Sequence, residues 1–209
     1  MNAAPVPDII VSRLPLYLQV LQRLARDGVQ TTSSQELGEK MGISAAQIRK
    51  DLSQFGEFGK QGTGYSIPFL IDQLQNILKV TCVWEIALVG AGDLGHAIAR
   101  YQGFANRGFH IAMVFDNNPE KIGKTVGGLP VYDIAEMPRR IREANIKIAM
   151  LTVPSQVAQH TAEQLVSAGV RAILNYAPIL LNLPPSVRVD YIDPILKLQH
   201  MTYCLETGD

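Results

Sequence analysis

The sequence has few cysteines, no long apolar run and no net charge, and each absence narrows the class of protein. Its 209 residues include two cysteines, Cys82 and Cys204. Two cysteines without metal-ligand spacing support neither a disulfide framework nor a zinc site, so we expect core thiols and no metal. The longest apolar stretches, such as residues 86–89 and 179–181, are far too short to cross a bilayer, so we expect no membrane partner.

No targeting segment and no catalytic constellation stand out either. No basic and apolar signal precedes the first predicted helix, so a cytoplasmic location is expected. The four histidines lack ligand or triad spacing, and we predict no catalytic residue. Because 19 Lys and Arg balance 19 Asp and Glu, any nucleic-acid binding must depend on local placement of charge. A content of 47% hydrophobic residues is enough for packed cores and disfavours disorder.

Two short helices follow one another within residues 33–55. Each opens with the spacing of a capping box, in which a Ser hydroxyl and a Glu or Gln three residues later satisfy each other's backbone N–H groups. The two boxes are Ser33 with Glu36 and Ser44 with Gln47. Gly42 ends the first helix, and the second covers residues 45–55. This layout is typical of a helix-turn-helix.

The second of these helices has one apolar and one polar face. Ile48 and Leu52 are four residues apart and are predicted to pack inward. The opposite side carries residue types that contact phosphates and base edges in a major groove. The candidate DNA-binding residues of this helix are Ser44, Gln47, Arg49, Lys50, Ser53 and Gln54. A plain packing unit with a solvated basic face is the alternative interpretation.

A glycine-rich segment follows, and it predicts a hairpin. Apolar residues return at Tyr65 and Ile67 after three closely spaced glycines. A helix-turn-helix followed by a hairpin is a winged helix, so residues 1–80 are predicted to form a winged-helix DNA-binding domain. The candidate DNA-binding residues of the wing are Lys60, Gly62, Gly64 and Tyr65.

The rest of the chain alternates between apolar strand patterns and helical patterns. This alternation is typical of an α/β fold with a doubly wound parallel sheet of Rossmann type. We predict that residues 81–192 form this domain and that residues 193–209 form a terminal helix.

The first strand of this domain leads directly into a glycine fingerprint, residues 90–95. Here Gly90 permits the tight turn, Gly92 permits close approach of a pyrophosphate, and Gly95 permits close packing of the following helix. Asp116 ends the next strand at the spacing expected for an acid that binds ribose hydroxyls, which favours NAD over NADP. The predicted cofactor-binding residues of the fingerprint are Gly90, Ala91, Gly92, Asp93, Leu94 and Gly95.

Further candidate cofactor residues stand at later strand ends, where open α/β sheets bind ligands. They are Thr152, Val153, Pro154, Asn175, Tyr176 and Ala177, and Tyr101 is added from the helix after the fingerprint. Ordinary turn chemistry is an equal alternative for the loop residues. For Tyr101 the alternative is a core aromatic.

Together these motifs closely resemble the Rex family of bacterial redox-sensing transcriptional repressors. The resemblance rests on Arg49-Lys50-Asp51-Leu52-Ser53, Gly62-Thr63-Gly64-Tyr65, the fingerprint, Phe115-Asp116, Leu151-Thr152-Val153-Pro154 and Leu174-Asn175-Tyr176-Ala177-Pro178. It implies a non-enzymatic homodimer with a swapped C-terminal helix. Such a dimer binds palindromic double-stranded operator DNA and releases it when NADH binds, with NAD+ as the competitor.

The sequence departs from the family pattern at two positions. Gln19 stands where some members carry an Arg that pairs with an acid matching Asp193. Pro194 aligns with a Phe that lies near the nicotinamide in some members.

Two other functions remain as alternatives. One is a small NAD-dependent dehydrogenase, although no substrate domain is predicted after the fingerprint domain. The other is a module that binds coenzyme A or another nucleotide.

Overall fold

The computed structural model describes residues 6–60 and 64–207, and the chain divides into two compact units, Met1–Cys82 and Val83–Asp209. No helix within the described residues is both long and apolar enough to span a membrane.

The first unit is a small helical domain with a three-stranded sheet. Its elements are α1 (Asp8–Val11), α2 (Leu14–Arg26), β1 (Thr31–Thr32), α3 (Ser34–Met41), α4 (Ala45–Ser53), β2 (Gly59–Lys60), β3 (Gly64–Ser66) and α5 (Ile67–Ile77). The sheet order is β1-β3-β2, and both pairings are antiparallel. Leu14, Leu21, Ile48 and Leu70 are fully buried in one core, which packs α2, α4 and α5 together. The helix-turn-helix and the hairpin are thus present, and the short strand β1 is an element that the sequence pattern did not predict.

The second unit is built around a seven-stranded sheet. Its strands are β4 (Trp84–Val89), β5 (Phe109–Asp116), β6 (Thr125–Val126), β7 (Leu129–Asp133), β8 (Ile148–Leu151), β9 (Ala172–Asn175) and β10 (Arg188–Tyr191). Its helices are α6 (Asp93–Arg100), α7 (Met137–Glu143), α8 (Ser155–Ser167) and α9 (Pro194–Thr207), with 3-10 turns at Ala105–Arg107 and Ile134–Glu136.

The strand order of this sheet is β10-β9-β8-β4-β5-β7-β6. All pairings are parallel except that between β6 and β7, so the sheet is Rossmann-like with one antiparallel edge strand. The β6–β7 hairpin was not predicted from the sequence, because β6 has only two residues and no helix separates it from β7. Strand β4 lies between β5 and β8, so the chain leaves β4 toward one side and later returns on the other. This reversal creates the crevice in which open α/β sheets bind ligands.

Candidate dinucleotide cleft and nucleic-acid interface

A cleft of about 770 Å³ lies at the carboxyl ends of the central strands of the second unit. Its lining includes these predicted residues: Gly90, Gly92, Asp93, Leu94, Asp116, Thr152, Val153, Pro154, Tyr176 and Ala177. The fold therefore brings residues from four separate loops to one place, as expected for the reversal of strand order between β4 and β8.

The glycines of the fingerprint differ in what they permit. Gly90 has a φ of +102°, which disfavours any residue with a side chain. A Cβ on Gly95 would lie 1.9 Å from the carbonyl oxygen of Gly90, so α6 can approach the turn only without a side chain there. A Cβ on Gly92 would contact no atom within 4 Å. Packing within the protein therefore does not demand glycine at position 92, and the space in front of it opens to the cleft.

Asp116 is a buried carboxylate that is bonded to the fingerprint. Its Oδ2 accepts from the backbone N–H of Ala91 at 2.7 Å, and its Oδ1 accepts from that of Asn118 at 2.8 Å. Lys121 Nζ lies 3.4 Å from Oδ2. Burial raises the pKa of Asp116, but the N–H groups of Asn118 and Ala91 and the charge of Lys121 outweigh it, so the pKa lies below its ordinary value. The carboxylate is therefore charged at neutral pH.

Thr152 fastens the glycine turn to the end of β8. The single proton of its hydroxyl is shared between the carbonyl oxygens of Val89, at 3.0 Å, and Gly90, at 2.8 Å. The backbone N–H of Thr152 also donates to Val89 O at 2.8 Å. These bonds fasten together two of the loops that line the cleft.

Asn175 is a predicted site residue that acts on the cleft indirectly. Its side chain is buried, so it does not line the cleft. Its Oδ1 accepts from Ala177 N at 2.9 Å, and its Nδ2 donates to the carbonyls of Ala177 and Ile179. Asn175 thereby fixes the loop that presents Tyr176, whose pKa is raised by burial. Ala91 and Gly95 are likewise buried behind the cleft surface.

Tyr101 is not brought to this cleft. It caps the C-terminal end of α6, is 55% exposed, and packs edge-on against Phe104 with ring centroids 5.2 Å apart. It lines a second cavity of about 650 Å³.

Several residues that line the first cleft were not predicted from the sequence: Asn118, Lys121, Ile134, Val157, His160, Thr161 and Gln164. Their only signal is proximity to a strand end or a place on α8, which is too weak to identify single residues.

In the first unit, α4 exposes the predicted basic face. Arg49, Lys50, Ser53 and Gln54 are exposed, whereas Ile48 and Leu52 are buried as predicted. Arg49 Nη1 donates to Ser34 Oγ at 2.9 Å, which links α4 to the first turn of α3. The face therefore carries two cations that no carboxylate of the described residues pairs with within 4.0 Å.

The two capping boxes have different outcomes. The box at Ser33 and Glu36 is complete. At the second, Ser44 Oγ accepts from Gln47 N at 3.2 Å. The side chain of Gln47 does not complete the box, because its Nε2 instead donates to Asp51 Oδ1 at 2.7 Å.

Asp51 is the centre of a hydrogen-bonded cluster that the sequence analysis missed. It is fully buried on α4 and accepts two bonds from the Arg13 guanidinium, at 2.6 and 2.7 Å. Tyr17 OH donates to Asp51 Oδ2 at 2.5 Å. Burial raises the pKa of Asp51, yet the bonds from Arg13, Tyr17 and Gln47 prevail and the pKa lies below its ordinary value. Burial and the bond to Asp51 raise the pKa of Tyr17 to about 12.

The predicted wing residues have several outcomes. Gly64 has a φ of +74°, and a Cβ there would lie 2.5 Å from Thr32 O, so β1 requires glycine at this position. Tyr65 is half-buried against the core of the first unit, and burial raises its pKa while Arg49 opposes the shift. Lys60 belongs to β2, but its side chain lies outside the described residues, as does Gly62 altogether.

Comparisons with known proteins agree with both units. Residues 5–53 match the family described as "Putative DNA-binding protein N-terminus", and residues 82–179 match the CoA binding domain. The redox-sensing transcriptional repressor Rex of Roseiflexus sp. strain RS-1 is 52% identical over 95% of this chain and 90% of the relative. Rex of Brevibacillus brevis is 44% identical over 96% of this chain and 97% of the relative.

Solved structures extend the similarity to the whole fold. A crystal structure of RSP with β-NAD+ and operator DNA has a TM-score of 0.93 and 37% identity, covering 99% of this chain and 95% of that one. A structure of RSP with β-NADH has a TM-score of 0.89 and 35% identity, covering 99% and 97%. RSP is described as a Rex-family repressor.

This chain combines a winged-helix unit with a Rossmann unit that has a glycine fingerprint. The combination is that of transcription regulators in which a DNA-binding domain and a nucleotide-binding domain belong to one chain. The curated relatives are named redox-sensing transcriptional repressors. This chain belongs to the Rex family of redox-sensing transcriptional repressors.

Proposed function

We propose that this chain, as a homodimer, binds a palindromic operator and releases it when NADH occupies the cleft of its second unit. The observation that carries the proposal is the presence, in one chain, of an exposed basic face on α4 and of a glycine cleft with a charged acid at a strand end. The chain would thereby report the ratio of NADH to NAD+ in the cytoplasm. The proposed domains are residues 1–80, 81–192 and 193–209.

The cleft has the chemistry that a dinucleotide requires. The first N–H groups of α6 lack partners within the helix, and their dipole favours the negative charge of a pyrophosphate. Gly92 leaves room for that group to approach. Asp116, charged and lining the cleft, would accept from the ribose hydroxyls and repel a 2′-phosphate. We assign Thr152–Pro154 and the loop held by Asn175 to the opposite side of the ligand.

On α4 we assign Arg49 and Lys50 to phosphate and base contacts, with Ser53 in support. Arg binds guanine and phosphate through two parallel hydrogen bonds, and Lys binds them as a point charge. Helix α4 would lie in the major groove, and the wing, with Lys60, would contact the backbone. In a dimer the two copies of α4 would reach half-sites one helical turn apart, at about 34 Å.

Release by NADH requires that the ligand prefer one of two states of the dimer, because equal affinity for both would shift nothing. NADH and NAD+ differ by one positive charge and by the planarity of the nicotinamide ring. We infer that the state with low DNA affinity favours the neutral ring.

The test is a fluorescence-anisotropy titration of labelled two-fold symmetric DNA at fixed salt. It is run without ligand and then with NAD+, NADH and coenzyme A. We expect tight binding that only NADH abolishes. We expect Lys50→Ala to weaken binding and to lower its salt dependence by about one counterion per subunit. Lys124→Ala, at an exposed lysine of the second unit that does not line the cleft, serves as the matched control. DNA binding that responds to neither dinucleotide would contradict the proposed sensor. Release of the DNA by coenzyme A would favour the CoA-binding alternative, which agrees with the match of residues 82–179 to the CoA binding domain.

A further inference from the structure

The amide of Gln47 is held in one orientation by Asp51. Its Nε2 lies 2.7 Å from Asp51 Oδ1. A charged carboxylate can only accept hydrogen bonds, so the nitrogen of the amide, and not its oxygen, must face Asp51. The carbonyl oxygen Oε1 of Gln47 therefore points away from the carboxylate.

Asp51 itself cannot turn away from this contact. Both oxygens of its carboxylate are engaged by Arg13, and Oδ2 also accepts from Tyr17. The group is fully buried, so water does not compete for these positions. A hydrogen-bonded network is rigid when a donor fills every acceptor position. The carboxylate of Asp51 therefore holds a fixed orientation, and it fixes the orientation of the Gln47 amide in turn.

The oxygen that faces away from Asp51 reaches solvent. Among the described residues, no side-chain or backbone donor contacts Gln47 Oε1, whereas every buried side-chain nitrogen or oxygen has a partner. Gln47 is the third residue of α4, and the exposed Arg49 and Lys50 follow it. In helix-turn-helix proteins the N-terminal residues of the second helix contact base edges.

We propose that Gln47 is a specificity-determining residue whose Oε1 accepts a hydrogen bond from the exocyclic amino group of adenine or cytosine, with Asp51 as the positioning residue. In the major groove only adenine N6 and cytosine N4 offer a donor, whereas guanine and thymine offer acceptors at the matching positions. The inference rests on the proposed binding of α4 in the major groove.

The test begins with operators selected from a library of two-fold symmetric duplexes. Each half-site position of the selected operator is then changed to all four bases, and affinities are measured for the full-length protein and for Gln47→Met. Methionine has a similar size and lacks both polar atoms of the amide. Gln30→Met, at an exposed glutamine between α2 and β1, is the matched control.

Base analogues identify the atom. At the position affected by Gln47→Met, purine replaces adenine, or 2-pyrimidinone replaces cytosine, which removes the amino group alone. We expect this removal to weaken binding about tenfold per half-site in the wild-type protein and to change nothing in Gln47→Met. Replacing adenine by 7-deazaadenine, which removes the N7 acceptor, is expected to have little effect.

The inference is overturned if Gln47→Met alters the preference at no position, if the preference it removes is for guanine or thymine, or if loss of the amino group costs both proteins equally. In these cases a wild-type protein that still binds its operator and responds to NADH leaves the proposed function intact. Failure to select any duplex would overturn both.

Discussion

At the scale of single residues, two buried carboxylates organise the two units. Asp51 and Asp116 are 0% and 7% exposed, and each is surrounded by N–H or O–H donors. Burial disfavours the charge, but the donors overcome this penalty in both cases, so both pKa values lie below their ordinary range. Each carboxylate also touches a functional segment: α4 in one unit and the fingerprint in the other.

Removing the carboxylate of Asp51 should strongly destabilise the first unit. Asp51→Ala leaves the guanidinium of Arg13, which is 23% exposed, without its partner. Breaking a buried pair from one side costs about 3–5 kcal/mol, and we expect a loss of this size in the free energy of unfolding. Urea unfolding followed by circular dichroism measures it, with Glu57→Gln as the control. A loss below about 1 kcal/mol, the range of a surface pair, would show that the cluster is not a buried ion pair.

The same carboxylates predict how stability depends on pH. A group whose pKa is lowered by folding contributes stability above its unfolded pKa, near 4 for Asp, and loses it as pH falls through its folded pKa. The thermal midpoint of unfolding should therefore decrease when the pH falls below about 4. An Asp51→Asn protein whose acid profile matches the wild type would contradict this assignment.

Tyr17 predicts a second loss of stability, at alkaline pH. Its pKa is raised to about 12, so its contribution to stability is present below about pH 10 and is lost as pH rises toward 12.

At the scale of elements, the glycine turn and α6 act together. Gly92→Ala and Gly95→Ala form a matched pair, because each adds one methyl group to the same turn. Position 92 has a φ that alanine accepts and open space around its Cβ, whereas position 95 is crowded. We expect Gly95→Ala to lower stability, since its Cβ meets Gly90 O. Gly92→Ala should keep the thermal midpoint and lose more than about tenfold in NADH affinity, because its Cβ enters only the cleft. Calorimetric titration with NADH measures the affinity, and normal binding by a folded Gly92→Ala protein would remove position 92 from the phosphate site.

Elements were easier to predict from the sequence than contacts. Capping signals located α3 and α4, and the run before Gly90 located β4, because these signals are local in the chain. The hairpin of β6 and β7 has no such signal. The Asp51 cluster joins positions 34 and 38 residues apart, and periodicity carries no information on such pairs. Gln47 was predicted as a DNA contact, and its bond to Asp51 was not anticipated, although the spacing of four residues on one helix permits it.

At the scale of the whole molecule, helix α9 has an apolar stripe that the single chain leaves open. Ile195, Leu198, Met201 and Leu205 are between 54% and 83% exposed. The resemblance to Rex repressors implied that this helix is exchanged between subunits, and the stripe suits such a role because large exposed apolar surfaces mark interfaces.

Charging this stripe should dissociate the proposed dimer. We expect Leu198→Glu with Met201→Glu to shift sedimentation from a dimer to a monomer and to weaken operator binding, since one subunit reaches only one half-site. Lys197→Glu, an exposed charge change on the same helix, should leave the dimer intact. A double variant that still sediments as a dimer would exclude α9 from the interface.

The central claim is that NADH in the second unit and DNA on the first weaken each other's binding. The direct measurement is a closed cycle: operator affinity with and without saturating NADH, and NADH affinity with and without saturating operator, at one salt concentration. Linkage requires the two factors to be equal, and for an effective sensor we expect each to be at least about tenfold. Equal affinities in the presence and absence of the other ligand would contradict the account.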